Sequence, residues 1–373
     1  MAWTEPQFTR ERVNAAGKAL IAPQLRSDVP DWKAFNAYMS AVPIVNNWRS
    51  SHSYPLNTFQ VTLRAYARKI DPNCIVAQRT KRLSSIEAKL RRHNTMKLSQ
   101  MQDLGGCRAI VKSVKGVRDL QAVYKASGIK HELASLDDYI STPKQSGYRG
   151  VHLVYRYVSD KQKKIYNGLK IEIQLRSQYQ HAWATAVETV GMFVQQALKS
   201  SLGEPEWLKF FSLMGTAIAN RERTAPVPNT PTNHSELLEE LRHYASALSV
   251  KSKLTAFSSA LKTLGTGQPG LELAHFYLLE LDPAANELSV TGFRAQELME
   301  AADKYAEAEK RVAEKPGTDA VLVSVDSLNA LERAYPNYFA DTGVFLQLMD
   351  QTLSAAPKRI NIPTKPSFPL ASS

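Results

Sequence analysis

Hydrophobic residues recur every three or four positions through most of residues 1–70 and again over residues 178–220, which predicts amphipathic helices in both stretches. Between residues 71 and 180 the pattern changes to short β-type runs, GCRAIVKSV, GVHLVYRYV and LKIEIQLRS, separated by helical or loop stretches. Strands and helices mixed in this way predict an α+β fold, in which a mixed β-sheet is flanked by helices.

Prolines divide the chain into two parts. Pro226, Pro228 and Pro231 follow the last of these helices and precede a new one, which predicts a domain boundary. The order of apolar runs beyond residue 270 predicts a small second ββαβα unit. The predicted parts are a first domain, a linker with a connecting helix, a second domain and a proline-containing tail, at residues 1–225, 226–270, 271–355 and 356–373.

Composition narrows the class of protein. Apolar residues make up 43% and charged residues 22% of the 373 residues, as in ordinary globular proteins. Since no run of 18 apolar residues occurs and charges interrupt the first 25 residues, neither a membrane span nor a secretory signal is predicted. Cys74 and Cys107 are too few for a disulfide scaffold or a four-cysteine zinc site. We therefore expect a cytoplasmic protein with no membrane partner.

Charge is distributed unevenly along the chain. Residues 1–200 contain 31 Lys and Arg against 14 Asp and Glu, whereas residues 201–373 contain 16 against 21. A cationic first half suits a polyanionic partner such as nucleotide phosphates or RNA, and the acidic half of the same chain could lie against it. Ordinary solvated surface charge is the alternative.

Two acidic residues on predicted strands are candidate metal ligands. Alternation in KIEIQLRS places Glu172, Gln174 and Arg176 on the polar face of one strand, and Asp103 precedes a Gly-Gly pair at the mouth of another, which contains Arg108. One carboxylate from each strand is the minimum set for a Mg²⁺ that also binds substrate phosphates. The alternatives are a surface strand held by salt bridges and an ordinary turn aspartate.

A basic helix, in QRTKRLSSIEAKLRRH, precedes these strands. Lys81, Ser85 and Lys89 recur every four residues on one face, which could direct two ammonium groups and a hydroxyl at a triphosphate. Arg79, just outside the helix, could stack on a base. The alternative is a solvated basic face in which SSIE forms a capping box.

A loop and a strand follow in DDYISTPKQSGYRGVHLVYRYV. Lys144 and Arg149 bring positive charge, and Tyr148 stands between two glycines, where its ring could stack on a second base. On the strand, His152 alternates with Tyr155, for which a place in the core and a place in a pocket are both open.

Together these segments resemble the synthetase region of the RelA/SpoT family. The resemblance covers roughly residues 30–220 and rests on four motifs in the family's order. They are RxK…SxxxK at Arg79, Lys81, Ser85 and Lys89; DLxxxR from Asp103 to Arg108; DYIxxPKxxGYxxxH from Asp138 to His152; and ExQxR from Glu172 to Arg176.

The resemblance implies a nucleotidyltransferase-like fold, Mg²⁺, and transfer of the β,γ-pyrophosphate of ATP to a ribose 3′-hydroxyl with release of AMP. It implies that Asp103 and Glu172 are catalytic metal ligands, and that Glu172 could also help to deprotonate the hydroxyl. The candidate ATP-binding residues are then Arg79, Lys81, Ser85, Lys89 and Arg108. With the loop and strand above, the candidate acceptor-binding residues are Lys144, Tyr148, Arg149, His152, Tyr155, Gln174 and Arg176.

Departures from the family pattern bear on the acceptor. Arg149 is added and Gly150 replaces a serine in the usual GYxSxH stretch, and extra cations there suit a long polyanion better than free GTP. Lysines at 161, 163, 164 and 170 add to this field, unless they are only solvated turn residues. Short family members include alarmone synthetases and toxins that pyrophosphorylate the 3′-CCA end of tRNA, and we favour tRNA as the acceptor.

The acidic second half resembles that of the CapRel group of fused toxin–antitoxins. In that group a zinc-finger-like domain without zinc silences the synthetase until a phage protein, typically a capsid protein, binds it. Here Tyr335 and Tyr338 form a YxxY pair that could fill the adenine slot against Arg79, or could pack only in the small core. No ligand cysteines occur in residues 230–373, so zinc is not expected.

The leading hypothesis is an autoinhibited toxin that transfers pyrophosphate from ATP to tRNA, blocks translation and acts in anti-phage defence. One alternative is an alarmone synthetase of the (p)ppGpp type that uses ATP with GTP or GDP. The other is a catalytically inactive RNA-binding protein.

Overall fold

The computed structural model describes residues 3–22, 32–193, 204–260, 262–264, 271–315, 318–325, 327–339 and 341–354. The helices among them are α1 (Arg10–Ile21), α2 (Trp32–Ser50), α3 (Ser53–Ile70), α4 (Leu83–Arg92), α5 (Val114–Ala126), α6 (Gln178–Phe193), α7 (Pro205–Glu222), α8 (His234–Ala247), α9 (Val250–Ala260), α10 (Leu298–Glu314), α11 (Leu328–Ala334) and α12 (Gly343–Leu353). The strands are β1 (Ile75–Thr80), β2 (Gly105–Val111), β3 (Glu132–Asp138), β4 (Val151–Arg156), β5 (Lys170–Ser177), β6 (Lys262–Leu264), β7 (Phe276–Asp282), β8 (Glu287–Phe293) and β9 (Asp319–Ser324).

The elements follow the apolar spacing of the sequence. Helix α3 buries Phe59, Leu63 and Ala67, which lie four residues apart and so share one face. Strand β5 buries Ile171 and Ile173 on one face, and its polar residues alternate with them on the other. These two elements therefore bury the faces that their sequence patterns predict.

Nine strands form one sheet in the order β3-β4-β5-β2-β1-β9-β7-β8-β6. Strand β2 runs parallel to β5, and β6 runs parallel to β8, while the remaining neighbours are antiparallel. Helices α3 and α5 pack against one part of the sheet, α10 packs against β7 and β9, and α11 packs against β1. The prediction of a mixed sheet flanked by helices is confirmed.

The sheet continues from the first predicted domain into the second. Strand β1 pairs with β9 through Gln78–Ser324 and Arg79–Val323. Elements β7, β8, α10, β9 and α11 follow in the ββαβα order that the sequence predicts. The described residues of 271–354 are termed the C-terminal segment below, and those of 3–225 the N-terminal region.

Helices of the predicted linker also join the two parts. Leu237 of α8 and Leu254 of α9 lie in the same buried cluster as Phe210 of α7 and Phe345 of α12. The predicted boundaries thus mark changes in the sequence rather than gaps in the described packing, and the predicted tail at 356–373 lies outside the described residues. Within the described part of the chain, no helix combines the length and apolarity needed to cross a bilayer.

Candidate functional site

One row of residues across the sheet forms the floor of a polar cavity. Arg79 on β1 lies opposite Gly106 on β2, and Gly106 lies opposite Glu172 on β5. Paired residues point to the same face of a sheet, so Arg79 and Glu172 flank the glycine. A Cβ atom at Gly106 would have only atoms of Glu172 within 4 Å, the nearest at 3.8 Å. The missing side chain therefore leaves space between a cation and a carboxylate.

A second row lies beside the first. Arg108 on β2 is opposite Gln174 on β5, which is opposite His152 on β4. The cavity is lined by Arg79, Lys81, Asp103, Gly106, Cys107, Arg108, Glu172, Gln174, Arg176 and Tyr335. Three of the four family motifs thus contribute side chains to one cavity lining, and His152, from the other motif, contacts Glu172.

Asp103 lies where β1 and β2 end side by side. Thr80 pairs with Gly105, so Lys81 and Asp103 occupy the adjacent ends of these antiparallel strands. The carboxylate of Asp103 accepts a hydrogen bond from Lys81 Nζ at 2.8 Å and one from Lys89 Nζ at 2.9 Å. Burial alone would raise the pKa of Asp103, but the two ammonium groups hold it below its usual value. Asp103 is therefore ionised at neutral pH.

Glu172 is held by two partners. Its Oε1 atom lies 2.9 Å from His152 Nδ1, and its Oε2 atom accepts a hydrogen bond from Gln174 Nε2 at 2.6 Å. Burial opposes ionisation, but the hydrogen bond and charge of His152 outweigh it and lower the pKa of Glu172 to about 2. For His152, burial opposes the charged form, and Tyr148 and Glu172 raise the pKa to about 9. The pair is an imidazolium bound to a carboxylate.

This pair predicts how stability depends on pH. His152 keeps its proton up to about pH 9 in the folded protein, whereas its ordinary pKa is 6.5. Its contribution is therefore complete below about pH 6.5 and is lost as the pH rises to about 9. We expect the free energy of unfolding to fall by at most about 3 kcal/mol over this range. Urea unfolding of the unmodified protein and of His152→Gln measures it; parallel pH profiles of the two proteins would contradict the prediction.

The residues of the cavity suit a magnesium ion in their chemistry. Mg²⁺ prefers carboxylate oxygens, takes one or two from the protein and keeps waters or substrate phosphates as its other ligands. Asp103 and Glu172 are both ionised and line the same cavity. Here each carboxylate is neutralised by protein cations, so binding of the metal would require exchange of these partners.

Tyr148 is placed by a tight turn and enclosed by polar groups. Gly147 has a φ of 95°, and a Cβ atom there would lie 2.8 Å from the Phe211 carbonyl oxygen, so only glycine suits this position. The Tyr148 hydroxyl lies 2.5 Å from His152 Nε2 and accepts a hydrogen bond from Arg176 at 2.8 Å. Because its ring is only 7% exposed, stacking on an acceptor base would require these neighbours to move.

Lys144 lies beside the same ring. It is exposed, and its Nζ atom lies 4.2 Å from the ring centroid of Tyr139 and 5.6 Å from that of Tyr148. Ser85 lies in the first turn of α4 and is half-buried, but it does not line the cavity. Lys89, one turn further along, reaches Asp103.

Arg149 does not line the cavity, so the structure gives no support to its predicted place beside the acceptor. The guanidinium is buried, donates a hydrogen bond to Thr224 Oγ1 at 3.1 Å, and donates another to the Ala225 carbonyl oxygen. Burial lowers its pKa to about 10. Arg149 therefore fastens the loop to the chain that follows α7.

We expect Arg149→Met to lower the free energy of unfolding by about 2 kcal/mol, since two hydrogen bonds from a charged group are lost. The KM for the acceptor should not change, because this side chain points away from the cavity. Urea unfolding and steady-state kinetics test the two expectations. A raised acceptor KM with unchanged stability would contradict the prediction.

Of the two places that the sequence leaves open for Tyr155, the structure shows the core, so its predicted role in acceptor binding has no support here. Its ring is 3% exposed and packs between Phe59 and Tyr124, at centroid distances of 5.7 and 5.9 Å. Side chains alternate between the faces of a strand, so Tyr155 lies on the face opposite His152. It is part of the core under α3 and α5.

Tyr335 of the C-terminal segment closes one side of the cavity. Its ring lies 4.6 Å from the Arg108 guanidinium, and its hydroxyl donates to the Gln78 carbonyl oxygen at 3.2 Å. The prediction paired it with Arg79, which lines the same cavity. The remaining cavity volume is about 60 Å³, whereas ligand pockets typically measure about 300–1,000 Å³. A nucleotide cannot enter this space as it stands.

Tyr338 has a different position. Its hydroxyl accepts from Arg82 at 3.0 Å and donates to Asp319 at 2.8 Å, and Arg82 also pairs with Asp319. Both tyrosines are buried in one apolar cluster with residues of β1, β2, β7 and β9. The sequence leaves core packing and contact with the synthetase motifs as alternatives for the tyrosines. Tyr335 does both, because it is buried in this cluster and contacts Arg108.

Four charged residues that join the N-terminal region to the C-terminal segment are not predicted by the sequence analysis. Arg82 and Arg49 of the N-terminal region pair with Asp319 and Glu309 of the C-terminal segment. The uneven charge of the sequence is the signal that bears on them, and it identifies the halves rather than the residues. The acidic half thus lies against the basic half through specific ion pairs.

Comparison with known proteins places the motifs in a family region. Residues 78–192 match the family described as the region found in RelA / SpoT proteins. GTP pyrophosphokinase YjbM of Bacillus subtilis is 33% identical over 132 residues, which cover 33% of this chain and 59% of YjbM. The GTP pyrophosphokinase of Haemophilus influenzae is 29% identical over 149 residues, or 39% of this chain and 18% of that protein.

Among solved structures, a GTP pyrophosphokinase family protein from Streptococcus pneumoniae is similar at a TM-score of 0.38. It is 23% identical, over 46% of this chain and 85% of its own. That overall likeness is too low to inform the site. The chain contains a RelA/SpoT region, and it spans less than two thirds of the length of the two curated relatives. The C-terminal segment lies outside the matched residues.

Proposed function

We propose that the chain is an ATP-dependent pyrophosphotransferase of the RelA/SpoT type, held inactive by its own C-terminal segment. One observation carries the proposal: the ring of Tyr335 lies on Arg108 inside the cavity that Asp103 and Glu172 line. The inferred catalytic groups and the inferred inhibitor share one site. The family region and the two relatives named GTP pyrophosphokinase support the activity.

The residues suit the transfer of a charged group. The oxygen of an acceptor hydroxyl attacks the β-phosphorus of ATP, and the bond from that phosphorus to the α-phosphate oxygen breaks. AMP leaves with the electron pair of that bond, and the hydroxyl proton passes to water. Lys81 and Lys89 are fixed cations that counter the growing negative charge in the polyphosphate. Asp103 and Glu172 would hold Mg²⁺, which would supply Lewis-acid stabilisation of the same charge.

In this proposal Glu172 acts mainly through its negative charge. A carboxylate with a pKa of about 2 is a weak proton acceptor at neutral pH. His152 and Gln174 fix its orientation, so that it presents a permanent negative charge to the cavity. Of the two roles expected for Glu172, the arrangement favours metal binding over deprotonation of the acceptor.

We propose tRNA as the acceptor, with its 3′-CCA end entering the cavity and modification blocking translation. The support is the excess of 31 Lys and Arg over 14 Asp and Glu in residues 1–200, since such a field attracts long polyanions. Arg149, which faces away from the cavity, contributes no support. The alternative, an alarmone synthetase, is supported by the relatives named GTP pyrophosphokinase.

Transfer of label decides between the acceptors. Full-length Tyr335→Ala protein is incubated with γ-labelled ATP and Mg²⁺, together with tRNA or with GTP or GDP. Label in tRNA supports the toxin, and label in the guanosine nucleotides supports the alarmone synthetase. Label in neither acceptor contradicts the proposed enzymatic activity. In the last case, retained binding of tRNA would favour an inactive RNA-binding protein.

The trigger is the remaining part of the proposal. By its resemblance to the CapRel group, the C-terminal segment would act as a zinc-finger-like antitoxin domain without zinc, released by a phage structural protein such as a capsid protein. Its support here is the occupied cavity. Co-expression of the chain with single phage structural proteins should arrest growth for the correct one, and Asp103→Asn should abolish that arrest.

A further inference from the structure

A buried carboxylate of the C-terminal segment lies on the amino-terminal end of α4. Glu309, on α10, accepts hydrogen bonds from Arg49 Nη1 to Oε1 and from Arg49 Nη2 to Oε2, both at 2.7 Å. The Leu83 main-chain N–H donates to the same Oε1 at 2.9 Å. The side chains of Arg49 and Glu309 are 5% and 10% exposed. Glu309 is thus held by three donors.

The donors belong to the N-terminal region and lie next to the nucleotide cavity. Leu83 is the first residue of α4, where main-chain N–H groups and the helix dipole favour an anion. Arg49 also donates to the Lys81 carbonyl oxygen at 3.4 Å, and the Lys81 side chain lines the cavity. A guanidinium fork, a helix end without a side-chain cap from the N-cap residue and a nearby lysine are donors that bind phosphate as readily as carboxylate.

Glu309 is ionised at neutral pH. Burial would raise its pKa, but Arg49 and the Leu83 N–H hold the pKa below its usual value. The carboxylate therefore presents a full negative charge to α4. A planar anion with two oxygens, bound by Arg49 in bidentate fashion, resembles one edge of a phosphate group in its hydrogen bonding.

We propose that Arg49 and the amino-terminal end of α4 form a phosphate-binding position, and that Glu309 occupies it and competes with the phosphates of ATP. The inference rests on the proposed function only in taking ATP as the ligand. Inhibition would then have two parts. Tyr335 blocks the side of the cavity at Arg108, and Glu309 fills the adjoining position at the start of α4, where a phosphate would bind.

Two fragments of ATP separate these parts. Inorganic tripolyphosphate has no base, and adenosine has no phosphate, and calorimetry measures the binding of each to the full-length protein. Glu309→Gln should raise the affinity for tripolyphosphate at least about tenfold and change the affinity for adenosine little. Tyr335→Ala should show the reverse order. Glu307→Gln, on the exposed face of α10, is the matched control and should change neither.

Equal gains for both fragments in Glu309→Gln would overturn the inference, because Glu309 would then only fasten the C-terminal segment. No gain for tripolyphosphate would overturn it as well. If loss of the charge prevents folding, Glu309→Asp is measured instead, because it keeps the negative charge but withdraws it from the Leu83 N–H. This variant should gain less affinity for tripolyphosphate than Glu309→Gln would. An unchanged affinity for tripolyphosphate would overturn the inference. Failure of the proposed transfer activity would leave these binding results intact, so the two failures are distinguishable.

Discussion

Replacement of Tyr335 by alanine is expected to raise the affinity of the full-length protein for ATP at least about tenfold, or by about 1.4 kcal/mol. The ring closes a side of the cavity and lies 4.6 Å from the Arg108 guanidinium. Loss of a buried aromatic ring also weakens the packing of the C-terminal segment, typically by about 3–5 kcal/mol. Both effects favour an open site. Calorimetry with a non-hydrolysable ATP analogue measures the change.

Tyr338→Ala is the matched control for this experiment. Tyr338 is as buried as Tyr335 and lies in the same cluster, but it does not line the cavity. The two variants should lose similar stability, while the full gain in ATP affinity appears only in Tyr335→Ala. Equal gains would show that a loosened segment, and not an occupied cavity, sets the affinity. Tyr335→Phe, which keeps the ring, should bind ATP as weakly as the unmodified protein.

Truncation after residue 225 is a less direct test of inhibition. Such a chain should be more toxic to cells than the full-length protein if the C-terminal segment is the inhibitor. The deletion would also remove the β9 partner of β1 and uncover Ile75, Ala77 and Ile110, which pack in one cluster with Tyr335. Uncovered strand edges and apolar surface favour aggregation. Single substitutions avoid this second effect.

Replacement of Glu172 by glutamine is expected to reduce the rate of pyrophosphate transfer at least about 1,000-fold, which corresponds to a rise of about 4 kcal/mol in the activation barrier. The amide keeps the shape but removes the negative charge from the cavity. Folding should suffer less, by at most about 3 kcal/mol, because His152 loses its proton once its partner is neutral. The rate is measured in the Tyr335→Ala background, in which the tyrosine ring no longer closes the cavity.

Two further variants define the specificity of this effect. Asp103→Asn should reduce transfer to a similar degree while it leaves the His152–Glu172 pair in place. Glu132→Gln, on the exposed edge strand β3, should change nothing, since it removes only an exposed ion pair with Arg156. Full activity of Glu172→Gln would refute the assignment of the catalytic site.

Local periodicity predicts the strands that carry the site but not all of the sheet. Alternation in KIEIQLRS identifies the face of β5 that bears Glu172 and Gln174, and the register with β2 then brings Arg108 beside them. Strand β1 is missed because it buries its first four residues in a row and shows no alternation. Strand β3 is missed because it is largely polar and has no fully buried residue at the sheet edge.

Side-chain direction outside regular elements is beyond the reach of the sequence pattern. Arg149 and Tyr148 are neighbours in a loop between two glycines with positive φ, where no period fixes the direction of a side chain. Contacts between distant residues leave no local trace either. Arg49 and Glu309 are 260 positions apart, and neither lies in a motif. Their sequence neighbourhoods give only the sign of the net charge in each half.

Among the described residues, the seam between β1 and β9 consists of two residue pairs, whereas six pairs join β9 to β7. Any partner that pulls the C-terminal segment away would therefore break the sheet at this weak seam and leave the rest of the segment's sheet intact. The main-chain groups of Gln78 and Arg79 would then be open to a strand from another molecule. Such a separation would leave an unpaired strand edge beside the cavity that Asp103 and Glu172 line, and a partner that adds a strand at this edge would prevent β1 and β9 from pairing again.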